Sequence, residues 1–410
     1  MNQNTRLSLS SLSLLLQRMK KFSAEKIFTG KEILTDKVIV TDDTGKILAI
    51  DSTENHSPES VWKFDGAICA GFVNAHCHLE LSYMRNRISR GNGLVQFVKD
   101  LLTIRNESLE VVLAAIEDAN EEMIANGIVA VGDISNDNHS LATKSASDIY
   151  YHTFVEAYGF KPENAQQYFD AAQKVFGEAR ELNLPASITP HAPYSVPPEL
   201  MKLIYGWKKN APEIFSIHNQ ETEAETNFFR DGGGDFKMLI DDFFKLDSSK
   251  GFHPTGERSI NYLLQFLPEE KNALFVHNTF TTAEEMKNAS EKFLNLYWCA
   301  CPKANLYIEN RLPDYNMWLQ AKDKICIGTD SLASNDSLSI FDEMKTIQKN
   351  FPELKTETLM SWATINGANF LQVNEKSGSI EVGKTPGLNL ISELRDDNSF
   401  SEKSEVRKII

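Results

Sequence analysis

The sequence predicts an α/β protein built on a TIM-type (β/α)8 barrel, in which eight parallel strands are each followed by a helix. Apolar strand-like runs alternate with helical patterns eight times over about 270 residues, the usual size of such a barrel. The strand-like runs are apolar throughout, as expected for a parallel sheet covered by helices. An open, doubly wound sheet is the structural alternative.

The eight strand-like runs lie between residues 72 and 331. In chain order they are FVNAHCHL, GIVAVGDIS, YYHTFVEAYGF, PASITPHAPYS, FSIHNQET, ALFVHNTF, LYWCACPKAN and KICIGTDS. Helical patterns separate them, such as NAQQYFDAAQKVFGEARELN, where apolar residues recur at spacings of three and four. We therefore predict the barrel over residues 71–370.

The two ends of the chain are β-rich and lack the strand–helix alternation. The run KVIVTDDTGKILAID contains two short strands joined through Asp-Asp-Thr-Gly, which is a hairpin signal, and GSIEVGKTPGLNLI near the other end is similar. We predict one β-sandwich domain from residues 19–70 and 371–410. Residues 1–18 are expected to be a disordered extension, and translation starts at Met1 or at Met19.

The composition excludes several classes of partner. The chain has 410 residues and a formal net charge of −15, so it is a poor candidate for binding nucleic acid or a membrane surface. Its five cysteines lie in apolar runs, which indicates reduced thiols in a cytoplasmic protein. No apolar run is long enough to span a bilayer, and no small-x-small cleavage site follows the first apolar patch. The expected partner is a small-molecule substrate.

Polar residues recur at the carboxyl ends of the predicted strands. Five of the nine histidines and two acids occupy this position, namely His76, His78, His191, His218, His277, Glu221 and Asp330. In a barrel these ends share one face, where catalysis takes place. Residues far apart in sequence are therefore expected to meet at one point.

The residue types in this set suit a metal ion. His76 and His78 are two residues apart on a strand, so both side chains can point to the same side. Two imidazoles from one strand, one from another and a carboxylate are ligands for zinc or iron. Such a metal lowers the pKa of bound water from 15.7 to about 7. Taken singly, Asp330 could cap a helix and Glu221 could be an ordinary first-turn acid.

The motifs GFVNAHCH, HAPYS, HNQE, VHN, CPKAN and GTDS occur in this order. As a set they resemble the metal-dependent amidohydrolase superfamily, in its cytosine/guanine deaminase and chlorohydrolase branch. The resemblance extends from Lys26 to Ile391 and includes a β-sandwich made from both chain ends. No lysine stands near the end of the third or fourth strand to form a bridging carbamate, which favours one metal over two.

The resemblance implies a role for each matching residue. Asp330 would accept a proton from water, Glu221 would carry it to the ring nitrogen and leaving group, and His277 would orient the water and substrate. His191 would contact the substrate. The ligands of one divalent metal, zinc with iron as the alternative, would be His76, His78, His218 and Asp330.

These roles predict a hydrolytic deaminase of an aminated heterocycle or purine nucleoside, acting by attack of metal-bound hydroxide with release of ammonia. The segments HNQETEAE and GFVNAHCHLELS look most similar to the aminodeoxyfutalosine deaminase group. The alternatives are an amide-ring or carbon–halogen hydrolase and a non-catalytic, metal-stabilised binding protein. The family also suggests a homodimer.

A carboxylated substrate would need a cationic partner on the loops. Arg258, in HPTGERS, is the first candidate, followed by Arg85 and Arg87. Glu80 either contacts a ribose or forms a salt bridge near the mouth of the site. We therefore predict that Arg258 and Glu80 join His191 in binding the substrate.

Overall fold

The computed structural model describes residues 19–208 and 214–410. The predictions made for residues 1–18 lie outside the described residues. The strands are β1 (Lys20–Phe28), β2 (Ile33–Leu34), β3 (Lys37–Thr41), β4 (Ile47–Ser52), β5 (Trp62–Ala70), β6 (Phe72–Cys77), β7 (Ile128–Ser135), β8 (Tyr150–Ala157), β9 (Ala186–Pro190), β10 (Ile214–Asn219), β11 (Asn272–His277), β12 (Leu296–Ala300), β13 (Ile325–Ile327), β14 (Leu388–Ile391) and β15 (Val406–Lys408).

Helices follow the central strands. They are α1 (Leu94–Ile104), α2 (Leu109–Ala125), α3 (Leu141–Ala146), α4 (Ala165–Glu181), α5 (Pro198–Gly206), α6 (Glu223–Asp231), α7 (Gly234–Met238), α8 (Ser248–Gly251), α9 (Ser259–Phe266), α10 (Ala283–Lys292), α11 (Pro302–Glu309), α12 (Tyr315–Trp318), α13 (Ile340–Asn350), α14 (Thr356–Ala363) and α15 (Ile365–Phe370). None of the helices in the described ranges is long and apolar enough to cross a membrane.

Strands β6 to β13 correspond to the eight predicted runs and form two parallel sheets of four, in the orders β6-β7-β8-β9 and β10-β11-β12-β13. Every residue of β6, β10 and β12 is buried. This explains why the runs are apolar on both faces instead of alternating, because each sheet is covered on both sides. The carboxyl ends of the four strands in each sheet lie at the same edge.

Backbone hydrogen bonds connect the edges of the two sheets. The amides of Thr329 and Asp330 donate to the carbonyl of His76 at 3.0 and 3.1 Å, beside a parallel bridge between Cys77 and Asp330. At the other seam the amide of His218 donates to the carbonyl of His191 at 2.9 Å. Four of the predicted site residues thus contribute backbone atoms to the two seams.

The seventh predicted strand is shorter than the sequence suggested. Strand β12 ends at Ala300, and Pro302 begins helix α11, so the segment CPKAN is helical. The helix begins at Pro302 because proline at the first helical position has a suitable φ angle and no amide hydrogen that would be left unbonded.

The two chain ends meet in one seven-stranded mixed sheet with the order β15-β14-β5-β1-β3-β4, in which β2 also pairs with β1. The predicted hairpin is present as the antiparallel pair β3–β4, with Gly45 at φ +81° in the connection. Gly71 alone links this sheet to β6, and a Cβ there would lie 2.3 Å from Cγ1 of Val129. The sandwich form of this region stays a prediction.

Candidate active site

The carboxyl ends of the central strands and their loops form one cleft with an empty volume of about 1090 Å³. The predicted site residues that line it are His78, Glu80, His191, His218, Glu221, His277 and Asp330. His76 is fully buried next to His78. The positions in sequence therefore identified residues that do meet in space.

Four possible ligand atoms meet in this cleft. The Nε2 atom of His78 lies 3.1 Å from Nε2 of His76 and 3.4 Å from Nε2 of His218. Oδ1 of Asp330 lies 3.3 Å from Nε2 of His78 and 3.7 Å from Nε2 of His76. Atoms bound about 2.1 Å from a tetrahedral zinc ion lie about 3.4 Å from one another. The four side chains therefore have the spacing of a metal coordination shell.

Hydrogen bonds orient two of these imidazoles. Nδ1 of His218 lies 2.9 Å from the carbonyl oxygen of His191 and so carries the proton it donates. Nδ1 of His76 lies 3.2 Å from Oγ of Ser216, on strand β10 of the other sheet. In both residues Nε2 is turned toward the cluster. Fixing the ring in this way is what metal-ligating histidines require.

The charges of the cluster favour a cation. Burial lowers the pKa of His78 to about 3 and holds that of His218 well below its usual value, so both rings are neutral at pH 7. Burial alone would raise the pKa of Asp330. The nearby His76, His78 and His277 outweigh this effect and hold the pKa below its usual value, so the carboxylate is ionised. Nitrogen lone pairs and a carboxylate held this close repel one another, and a cation between them removes the repulsion.

His277 and Glu156 also lie near this cluster. The ligand atom of His277 is within 4.8 Å of those of His76, His218 and Asp330. A second group, formed by Glu156, His191 and His218, meets the same distance. In that group Nδ1 of His218 faces Glu156 at 3.6 Å, and this nitrogen already donates to a carbonyl, so it has no lone pair for a metal.

Asp330 is held in an unusual backbone conformation. Its φ angle is +56°, a region that costs free energy for a residue with a side chain. Oδ2 accepts a hydrogen bond of 2.6 Å from Oγ of Ser334, which leaves Oδ1 toward the histidines. Asp330 does not cap a helix, because α13 begins at Ile340 and Ser339 is its capping residue. That alternative interpretation of the sequence is therefore wrong.

Glu221 is buried beside His277. Its Oε1 lies 3.5 Å from Nε2 of His277. Burial, together with the charges of Asp330 and Glu309, raises the pKa of Glu221 well above its usual value. Glu221 is not a first-turn residue, because α6 begins at Glu223 after the cap Thr222. A protonated carboxyl group here can donate a proton to a bound substrate.

His277 is oriented by a residue of helix α11. Its Nδ1 lies 2.8 Å from Oδ1 of Asn305, so Nδ1 carries the proton and Nε2 faces the cleft with a lone pair. Burial lowers the pKa of His277 to about 4, which keeps the ring neutral. Asn305 is the last residue of the motif CPKAN. The motif was therefore recognised in the sequence, but the hydrogen bond from its asparagine to His277 was not predicted.

The structure adds polar residues that the sequence analysis missed. Glu156, at the end of β8, is buried, and its pKa is raised to about 8 by burial. Asn136 joins it to Glu80: Nδ2 of Asn136 donates to Glu156 at 3.1 Å, and its amide donates to Oε2 of Glu80 at 2.9 Å. Burial also raises the pKa of Glu80 to about 8, and Arg105 lies 3.8 Å from it. Glu156 was a lone acid in an apolar run, at the strand end where the other site residues fall.

The predicted substrate arginine lies elsewhere. Arg258 is not among the described residues that line the cleft, and its Nε donates to Oε1 of Glu285 at 2.6 Å while its guanidinium also bonds the carbonyl of Phe280. Arg85 and Arg87 pair with acids on partly exposed surface. The sequence placed Arg258 on a loop near the site but could not show where its side chain points.

Comparison with protein families gives a direct result. The sequence model of the family described as "Amidohydrolase family" matches residues 67–409. This chain belongs to the amidohydrolase family. It is therefore an enzyme that hydrolyses carbon–nitrogen bonds, in a family that depends on metal. The alternative of a non-catalytic binding protein is set aside.

Relatives in sequence are deaminases by name. An adenosine deaminase of Helicobacter pylori is 26% identical over 332 residues, covering 80% of this chain and 79% of the relative. An aminodeoxyfutalosine deaminase of Nitratiruptor is 26% identical over 366 residues, covering 84% and 85%. A 5′-deoxyadenosine deaminase of Methanosphaera stadtmanae is 24% identical, covering 78% and 73%.

Solved structures show the same amidohydrolase-type α/β fold. The aminofutalosine deaminase of Helicobacter pylori in complex with methylthio-coformycin has a TM-score of 0.79 and 22% identity, covering 95% of this amidohydrolase and 100% of that chain. An adenosine deaminase from Xanthomonas campestris with bound zinc has a TM-score of 0.69 and 21% identity, covering 91% and 84%. At these identities the likeness concerns the fold.

Proposed function

We propose that this amidohydrolase is a hydrolytic deaminase of 6-aminopurine nucleosides that holds one zinc ion per chain. The observation that carries the proposal is the position of Glu221 and His277, 3.5 Å apart and buried beside the four-atom cluster. A deaminase needs a proton donor and an orienting group next to its metal, and these two residues supply them. The names of the relatives in sequence support the same reaction.

The proposed architecture places this chemistry at the mouth of a closed barrel. The hydrogen bonds at both seams support the closing of the two four-stranded sheets into one (β/α)8 barrel over residues 71–370. A β-sandwich domain of residues 19–70 and 371–410 would accompany it. A homodimer in the cytoplasm stays the family-level expectation.

The proposed metal ligands are His76, His78, His218 and Asp330. His78 is chosen over His277 because its Nε2 lies within 3.4 Å of three other ligand atoms. The metal, when bound, would lower the pKa of water and so supply a nucleophile at neutral pH. Zinc suits the three nitrogen atoms and one oxygen atom of this set, and iron is the alternative.

Three residues move or hold protons in the proposed reaction. Asp330, ionised in the resting site, accepts a proton from the attacking water. Glu221, whose pKa is raised by burial, donates its proton to the ring nitrogen next to the amine-bearing carbon. It then takes a proton from the hydroxyl group of the tetrahedral adduct and passes it to the amine, which leaves as ammonia, and the proton held by Asp330 returns to Glu221. His277 accepts a hydrogen bond through its bare Nε2 and orients the water. The overall change is the replacement of an amino group by a carbonyl oxygen, with one water consumed.

Binding of the nucleoside involves the next group of side chains. His191 lines the cleft, and its Nδ1 is fixed 2.6 Å from Oγ of Ser195, so the ring presents a constant edge to a purine. Glu80 and Glu156 are buried carboxyl groups joined by Asn136, and they can accept hydrogen bonds from ribose hydroxyls. Glu80 therefore remains a proposed substrate-binding residue. Arg258 is not proposed as one, because it is not among the described residues that line the cleft.

A screen for ammonia release tests the proposal. The zinc-loaded protein is given 6-aminopurine nucleosides, free guanine and cytosine, a cyclic amide and a chlorotriazine. We expect equimolar ammonia and 6-oxopurine nucleoside, at a rate about 10²–10⁴-fold higher than that of a Glu221→Gln control measured alongside. Faster opening of the amide ring or faster chloride release would instead make the enzyme an amide-ring or carbon–halogen hydrolase, and faster deamination of the free bases would remove the nucleoside assignment.

A further inference from the structure

A buried carboxyl group on helix α13 connects two elements that carry site residues. Glu343 is fully buried, and each of its two oxygens accepts a hydrogen bond from a different element. Oε1 accepts from Nδ2 of Asn335 at 2.7 Å, in the loop that follows β13. Oε2 accepts from the amide of Lys303 at 2.9 Å, in helix α11. One side chain therefore joins the loop of Asp330 to the helix of Asn305.

The first connection leads to Asp330. Nδ2 of Asn335 also donates to the carbonyl of Thr329 at 2.8 Å, and the amide of Asp330 donates to the carbonyl of His76. The peptide unit between Thr329 and Asp330 is therefore held at both its oxygen and its nitrogen. Rotation of this unit changes the φ angle of Asp330, which is +56°. Such a conformation persists only where its surroundings fix it, and Glu343 holds the asparagine that does so.

The second connection leads to the first turn of α11. The helix begins at Pro302, which has no amide hydrogen, and its capping residue Cys301 gives no side-chain hydrogen bond among the described contacts. The amide of Lys303 belongs to the first turn, where amides have no partner inside the helix. Glu343 supplies that partner from α13.

This contact fixes the turn on which Asn305 stands. Asn305 is buried, two residues after Lys303, and its Oδ1 lies 2.8 Å from Nδ1 of His277. The partner of one ring nitrogen determines the tautomer and the direction of the other. A shift of this turn would therefore release the ring of His277, whose Nε2 faces Glu221.

We propose that Glu343 is a positioning residue, which holds Asp330 and His277 in place together through Asn335 and the first turn of α11. This inference rests on the proposed function, since that function gives Asp330 and His277 their roles. Burial raises the pKa of Glu343 to about 8, while Lys303 and the two hydrogen bonds oppose this effect. A carboxyl group accepts N–H groups in either protonation state, so the role depends on the hydrogen bonds and not on a charge.

The test measures two quantities: zinc affinity, by competition with a chromogenic chelator, and kcat for a 6-aminopurine nucleoside at saturating zinc. Glu343→Met removes both acceptor oxygens and keeps the length of the side chain. We expect a loss of about 10–100-fold in each quantity, the usual effect of residues that orient metal ligands. A loss in only one of them would overturn the inference, because a shared positioning residue must affect both.

Gln348→Met is the matched control on the same helix. Gln348 is also buried, and its side chain bonds the backbone of Leu354 and Phe400. Its replacement should lower the melting temperature and leave zinc affinity and kcat unchanged. The same behaviour in Glu343→Met would mean that Glu343 only supports the fold.

Glu343→Gln decides the test if Glu343→Met does not fold. Glutamine keeps the size of the side chain but has one acceptor oxygen, so at least one of the two hydrogen bonds must break. Zinc affinity or kcat should therefore fall. No change in either quantity would overturn the inference.

Asn305→Leu tests the connection through α11. This variant breaks the bond to His277, so kcat should fall and zinc affinity should stay the same. In combination with Glu343→Met, the loss in kcat should be smaller than the product of the two single losses, because both changes act on His277. Losses that multiply in full would show that Glu343 does not act through α11.

The outcomes separate this inference from the proposed function. If the natural sequence deaminates nucleosides and Glu343→Met behaves like Gln348→Met, only this inference fails. If the natural sequence deaminates none of them, the proposed function fails, and zinc affinity still shows whether Glu343 holds Asp330.

Discussion

At the scale of single residues, the site depends on which nitrogen of each histidine carries a proton. His218 donates from Nδ1 to a backbone carbonyl, and His277 donates from Nδ1 to Asn305. Both rings therefore present a bare Nε2, one toward the proposed metal position and one toward Glu221. These partners come from distant parts of the chain, so the sequence alone could identify the histidines but not their orientation.

Glu221 is expected to serve the chemistry and not the metal. Glu221→Gln keeps the size of the side chain but removes its acid–base function. We expect the metal content to be unchanged and kcat to fall by about 10²–10⁴-fold, the usual contribution of general acid–base catalysis. Elemental analysis and steady-state kinetics measure the two effects. Glu223→Gln, on the exposed first turn of α6, is the matched control and should change neither. Normal turnover in Glu221→Gln would remove its assigned role.

Asp330 is expected to serve both the metal and the chemistry. Asp330→Ala removes a proposed ligand together with the proton acceptor, so bound metal and activity should be lost together. A residue that only supports its loop would behave differently, because its replacement would lower the stability and leave metal content and activity intact. Metal content, activity and thermal melting of the variant decide between these results. The control is Asp336→Ala, an exposed aspartate of the same loop that pairs with Arg90.

At the scale of secondary-structure elements, the sequence predicted the eight central strands well because buried parallel strands have an unmistakable apolar pattern. Boundaries were less certain, as shown by β12, which ends before the cysteine–proline step of CPKAN. Glu156 and Asn136 were missed because neither belongs to a recognised motif. Their importance comes from the packing of β8 beside the loop that follows β7, and no local pattern encodes that packing.

Arg258 is the converse case, because the sequence analysis assigned it to the substrate and the structure places it outside the lining of the cleft. Arg258 lies on a loop, directly before α9, and its side chain joins this loop to Glu285 of α10. We therefore expect Arg258→Ala to leave kcat/KM for charged and uncharged nucleosides unchanged. Thermal unfolding should show a loss of about 1 kcal/mol, since the ion pair is partly exposed. A selective loss of activity toward a carboxylated nucleoside would restore Arg258 as a substrate residue.

A buried ion pair supports the element that carries His78. Lys144 of α3 and Asp133 of β7 are fully buried and paired, and Oδ1 of Asp133 accepts a 2.7 Å hydrogen bond from the amide of Leu79. Lys144→Met leaves a buried carboxylate without its partner, so the free energy of unfolding should fall by about 3–5 kcal/mol. Urea unfolding measures it. Lys174→Met breaks an exposed pair and should have little effect. Equal stability of both variants would contradict the role given to the buried pair.

At the scale of the whole molecule, two sheets of four strands meet along seams that contain the site residues themselves. The carbonyl of His76 accepts the amides of Thr329 and Asp330, and the carbonyl of His191 accepts the amide of His218. The first and last central strands are about 250 residues apart in sequence, yet they place His76 and Asp330 side by side. The family motifs predict this meeting, whereas the hydrogen bonds along the seams are visible only in the structure.

Returning metal to the metal-free protein tests the proposed site most directly. Zinc is added from zero to two equivalents per chain, and the deamination rate of a 6-aminopurine nucleoside is followed at each step. One set of four ligands predicts that the rate rises in proportion to zinc up to one equivalent per chain and then stays constant. Deamination by the metal-free protein, or a rate that continues to rise up to two equivalents, would contradict a single-metal deaminase.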